Sequence, residues 1–158
     1  MEYLKDKPIN FITWICPLLK PLVKMSDQFI YYEGDAISAI YFHQTGTTGF
    51  VLPRHKNLMY VNINKGHQFG VQCIIGSFLD AKKFEIDNWI ESKDKLERMF
   101  TVQCKEQCEL MTLSIHDVDM MKNQFYEAYS ELFADSMNHL KRTFKVKIKA
   151  IKYYKRYH

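Results

Sequence analysis

The sequence predicts a mixed α+β chain: a helical lead-in, an antiparallel β-structure of sandwich, barrel or roll type, and a helical C-terminal part. Three observations carry this. All six glycines lie between Gly34 and Gly76, within 43 residues, and all four prolines lie at or before Pro53. There, turn residues separate short apolar runs at intervals of about ten residues, the spacing of a strand-rich domain. From Ser77 onward there is neither glycine nor proline, and helical periodicity follows Ser114.

The elements follow in order. Phe11, Ile12, Ile15, Leu18, Leu19, Leu22 and Val23 recur at helical spacing. Pro17 and Pro21 have no N–H to donate, so the pattern breaks into two short helical pieces that cover the core. This run is too short for a membrane span and contains Lys20, and the N-terminus shows no signal-peptide pattern. Strands are expected at 28–32, 37–43, 49–52 and 58–63, divided by Gly34-Asp35, Gly46 and Pro53 and closed by the turn Asn64-Lys65-Gly66. The segment 80–97 is polar and weakly helical, with Trp89 as its one large apolar anchor.

Residues 99–104 and 108–113 read as a last hairpin. Ser114, with Asp117 three residues on, is a helix start that turns Val118, Met121 and Phe125 inward. A longer helix carries Tyr129, Leu132, Phe133, Ser136 and Leu140 on one face. Phe144, Ile148 and Ile151 continue that stripe. Residues 144–149 also alternate like a strand, but no breaker precedes them, which favours helix. The expected organisation is a lead-in (1–27), a main domain (28–140) and a basic helical tail (141–158).

With 158 residues, 47% hydrophobic and 15% aromatic, the chain can bury one core and is not disordered. Its charge of +4 is unevenly placed. Eight basic residues and no acidic ones follow Leu140; the rest of the chain has 14 basic and 18 acidic residues, hence −4. Cys16, Cys73, Cys104 and Cys108 form no CxxC pair, so no metal site is expected. Cys104 and Cys108 flank a hairpin, yet reduced thiols in an intracellular compartment fit a chain of this size better. The six histidines are scattered and read as surface or loop residues. No nucleophile, base and acid stand together, so the chain is not read as an enzyme.

One ordered series remains: Gly34-Asp35, Ile40-Tyr41-Phe42, Gly46, Phe50-Val51-Leu52, Gly66, Phe69-Gly70, Arg98, Thr101-Val102, a hairpin, and Ser114 opening two helices. Over roughly residues 28–140 it resembles the cyclic nucleotide-binding domain family, and looks closest to the C-terminal domains of cyclic nucleotide-gated cation channels. The resemblance implies an antiparallel β-roll, like a double-stranded jelly roll, with a helix before it, a short helix inside it and two after it. A cyclic phosphate is an anion, suited to N–H groups at a helix start and to a guanidinium. In the family's cassette a Phe-Gly-Glu opens the internal helix, the Glu accepts from the ribose 2′-hydroxyl, and a downstream Arg pairs with the phosphate. Carried over, the candidate ligand-binding residues are Gly70, Gln72, Cys73 and Arg98, with 71–75 as the internal helix.

Three departures weaken that cassette. Val71 stands in the glutamate position and cannot accept a hydrogen bond. Met99 and Phe100 replace small residues and would crowd or fill the pocket. The 26 residues between Val71 and Arg98 exceed the family's usual spacing. A donor buried without an acceptor costs about 1–3 kcal/mol. The resemblance therefore implies a non-enzymatic regulatory or interaction domain with weakened or lost binding of cAMP or cGMP and no other cofactor. The alternatives are a structural subunit of a larger assembly without ligand, and a working nucleotide-sensing gating domain.

Without the resemblance, Arg98 would read as an exposed residue paired with Glu97 or Glu91. The tail is open to three readings: a solvated face, an anionic-lipid contact, or a contact with nucleic acid or acidic protein. Its apolar stripe favours a cover by a protein partner or by the domain itself. Nucleic acid is not expected, since no reading motif follows. A protein partner or larger assembly is expected at 11–23 and the tail, with membrane contact only by association. The expected location is intracellular, cytoplasmic or on the cytoplasmic side of a membrane complex.

Overall fold

Pro8 stands just before the first helix, α1 (Ile9–Ile15), where its missing N–H leaves no bond unmade. In the computed structural model, which describes residues 1–70 and 97–157, α1 is followed by β1 (Lys20–Lys24), β2 (Phe29–Tyr31), β3 (Ala39–Thr45) and β4 (Thr48–Leu52). Then come β5 (Leu58–Ile63), β6 (Gln68–Phe69), β7 (Thr101–Cys104), β8 (Cys108–Ser114), α2 (Ile115–Gln124) and α3 (Tyr126–Tyr157). The strands make two antiparallel sheets, ordered β1-β8-β3-β6 and β2-β7-β4-β5. This is the expected mixed α+β roll with two C-terminal helices. The internal helix expected at 71–75 and the polar segment through Trp89 lie outside the described residues.

The lead-in corrects the expectation of two helical pieces. Its second piece is β1, paired with β8 from Lys20↔Thr112 to Lys24↔Cys108. Pro17 ends the helix, and Pro21 is tolerated because β1 is an edge strand with one unpaired side. The roll thus takes in residues ahead of position 28. Phe11, Ile15 and Leu19 join the core. They are therefore not free for a partner, and the exposed large apolar residues of the lead-in are Met1, Ile9, Val23 and Met25.

The thiol expectation is also corrected. Cys104 and Cys108 are joined as a disulfide across the β7–β8 hairpin, because the turn brings their Cα atoms to 6.5 Å. Cys16 is a free, exposed thiol.

Ser114 caps α2 as predicted. Its Oγ accepts from the Asp117 N–H at 3.2 Å and donates to Asp117 Oδ2 at 2.9 Å. The following helix runs unbroken from Tyr126 to Tyr157, so the basic tail is the second half of α3, not a separate element. Helix, and not the alternating strand, wins at 144–149. The reason is packing: Thr143 is buried, and Phe144 lies 5.0 Å from Phe100. The domain itself covers that stripe as far as Phe144, while Ile148 stays 51% exposed.

Candidate functional site

Arg98 is the centre of the candidate site, and it is 2% exposed. That overturns the reading of an exposed residue; Arg98 makes no ion pair with Glu97, and Glu91 lies outside the described residues. The Arg98 backbone is fixed by the turn singled out in the sequence. The Gly34 N–H donates to the Arg98 carbonyl at 2.8 Å, and the Arg98 N–H donates to the Asp35 carbonyl at 2.7 Å. Gly34 takes φ +93, the left-handed turn that glycine favours. Asp35 closes the turn by accepting from the Tyr32 N–H at 2.9 Å.

The Arg98 side chain reaches the other predicted motif. Nη1 donates to the Gly70 carbonyl at 3.1 Å, and Nη2 donates to the Ala39 carbonyl at 2.5 Å. Two rings flank the guanidinium, Tyr31 at 4.1 Å and Tyr41 at 5.7 Å from their centroids. Tyr41 stacks in turn on Phe69 at 5.2 Å. Burial raises the Tyr41 hydroxyl pKa, and the neighbouring guanidinium partly opposes that rise. Gly70 has φ +92, and a Cβ there would stand 2.9 Å from Arg98 Nη1. The left-handed turn favours glycine here, and an added Cβ would press on the end of the arginine.

A buried guanidinium is stable when its charge is compensated. Here carbonyl dipoles and ring faces do this. Among the described residues no carboxylate makes an ion pair with Arg98, and its Nε has no hydrogen-bond partner. The site therefore joins Gly70 to Arg98 but directs a carbonyl, not an N–H, at the arginine. Gln72, Cys73 and Val71 lie outside the described residues.

Phe100, expected to crowd or fill the pocket, packs between the sheet and α3. Fully buried, it sits edge-on to Phe50 at 5.3 Å and beside Phe144 at 5.0 Å, joining β4, β7 and α3. Met99 is half-buried, and its carbonyl accepts from Lys147 Nζ at 3.3 Å. Next to Phe50, a cavity of about 170 Å³ lies between β5, β6 and α3, with Val61, Ile63 and Phe69 as its apolar floor and His139, Arg142 and Thr143 on the helix side. Arg98 does not line this cavity. Sequence reasoning missed the helix residues on it, since nothing in their spacing says which turn of a long helix crosses a strand pair. It missed His43 as well: expected on the surface, it is 1% exposed, on the central strand β3.

No family model matches the chain, and no curated protein matches it in sequence. Solved structures do. A protein assigned as cyclic nucleotide-binding from Geobacter metallireducens is 8% identical with a TM-score of 0.61, over 89% of each chain. The catabolite activator protein of Thermus thermophilus is 14% identical with a TM-score of 0.64, over 96% of this chain and 63% of its own. The N-terminal domain of a transcriptional regulator from Streptomyces coelicolor is 13% identical with a TM-score of 0.56, over 93% and 92%. At such identities the likeness is one of architecture. The two four-stranded antiparallel sheets and the paired C-terminal helices are the chain's version of the cyclic nucleotide-binding fold.

Proposed function

We propose that the chain is a non-enzymatic regulatory or interaction module on the cyclic nucleotide-binding fold, with its affinity for cAMP and cGMP weakened or lost. The observation that carries this is the engagement of Arg98. Nη1 and Nη2 are each held by a main-chain carbonyl, those of Gly70 and Ala39, so a phosphate that draws the guanidinium toward itself competes with both bonds. Val71 in the glutamate position acts in the same direction. On this reading Arg98 clamps the Gly34 turn, β3 and the end of β6.

One observation favours the alternative, a working sensor or gating domain. Among the described residues no carboxylate pairs with Arg98 and its Nε has no hydrogen-bond partner, which favours an anion there. A bound nucleotide would then act by favouring one docking of α2 and α3. Isothermal titration with cAMP and cGMP separates the two. The clamp reading expects no heat with either at millimolar concentration; sub-millimolar binding that disappears in Arg98→Ala would overturn it. The proposed setting is intracellular. The Cys104–Cys108 bond runs against a reducing compartment, and mass analysis after alkylation of freshly lysed cells reads the thiol state directly.

A further inference from the structure

The two sides of α3 differ sharply in chemistry. Its inner side is seated: Leu140 and Thr143 are buried, Lys147 pairs with Glu33 at 3.2 Å, and Tyr154 lies 4.3 Å from His55. Its outer side carries Lys141, Lys145, Lys149, Lys152 and Arg156. Intervals of four, four, three and four positions stack these on one side of a helix. All five are exposed, and no acidic residue follows Leu140. At about 1.5 Å per residue the row is roughly 22 Å long.

Helix stability does not ask for this row. Like charges three and four positions apart repel. Cations complement the helix dipole only in the last turn, which accounts for Lys155 and Arg156 but not for Lys141, Lys145 or Lys149. Among the described residues none of the five makes an ion pair. Apolar groups stand exposed beside them: Ile148, 51% exposed, between Lys145 and Lys149, then Tyr153 and Tyr157 with rings 4.6 Å apart. Positive charge alone would suit any polyanion. An exposed isoleucine and two tyrosines within it suit a surface that offers both negative charge and apolar depth. The rest of the chain, at −4, would be repelled by such a surface, so this face alone is drawn to it.

We propose that the outer face of α3 docks the domain on a bilayer rich in anionic lipid. The cations meet the headgroups, Ile148 and the tyrosines reach the boundary with the acyl chains, and the roll is held above. The contact is peripheral: among the described residues no helix is long and apolar enough to cross a membrane. It does not depend on whether a nucleotide binds.

The test is vesicle sedimentation of the full chain, with phosphatidylcholine alone and with phosphatidylcholine plus phosphatidylserine. The chain should pellet with the anionic vesicles only, and less as salt rises. Replacing three lysines together, Lys145→Gln, Lys149→Gln and Lys152→Gln, should weaken binding roughly hundredfold, at about fivefold per lysine. Circular dichroism should show unchanged helix, since glutamine is a good helix former. Ile148→Ser should weaken binding without altering its salt dependence. Equal binding to neutral vesicles, full binding by the triple variant, or no vesicle binding would overturn the proposal. Tight binding of a DNA duplex with none of vesicles would overturn it in favour of nucleic acid.

Discussion

Nη1 of Arg98 donates to the carbonyl of Gly70 at 3.1 Å, across 28 residues of sequence. A guanidinium held this way bridges main-chain groups that no other side chain could reach together, because its fork donates in two directions at once. Arg98→Ala should destabilise the fold by about 2–4 kcal/mol, leaving the Gly70 and Ala39 carbonyls without their donor. Arg98→Lys should recover only part of this. Urea unfolding of the three proteins checks it, and equal midpoints would mean that the clamp is not structural.

Phe100 ties β7 to Phe50 on β4 and to Phe144 on α3. Truncation of a fully buried phenylalanine costs about 3–5 kcal/mol. Phe100→Ala should therefore lower stability by that amount and speed amide exchange in α3 beyond Phe144, while exchange in α2 stays slow. Uniform acceleration would show that α3 is not seated through this ring.

Much of the roll was legible in residue order. The β5 strand, the Gly34 turn and the Ser114 cap follow from a short apolar run between turn residues, a glycine, and a hydroxyl three residues before an acid, all local causes. β1 was not legible, because Phe11 to Val23 fits a helix until Pro17 interrupts it, and only pairing with β8 makes the remainder a strand. The site divides in the same way. Gly70 and Arg98 were found by their motif; the flanking Tyr31 and the helix residues over the cavity depend on which elements cross in space.

His43 shows what pattern cannot reveal. Both its ring nitrogens are buried without a hydrogen-bond partner among the described residues. An apolar residue of similar volume removes that penalty. His43→Leu should leave the melting temperature equal or higher, and a clear fall would mean that the imidazole has an ordered partner, such as a buried water.

Alkaline pH should unfold the chain early. Burial, with help from Asp119 and Tyr126, pushes the Tyr129 hydroxyl up to about 12, and burial also raises Tyr3 and Tyr41. The unfolded chain ionises its tyrosines near pH ~10 while the fold keeps them neutral, so stability is level below that pH and falls as pH rises toward about 12. Urea midpoints across that range check the slope, and a flat profile would contradict the burial of these hydroxyls.

α3 behaves as a beam on several supports. Lys7 meets Glu131 near its start, Gln68 meets Asp135, Phe100 meets Phe144, and His55 meets Tyr154 near its end. A beam free of proline and glycine resists bending at any one support. Whatever enlarges the space beneath Arg142 and Thr143 must therefore tilt the whole length, and the displacement emerges at both ends: at the N-terminal segment through Lys7, and at the row of lysines on the far side.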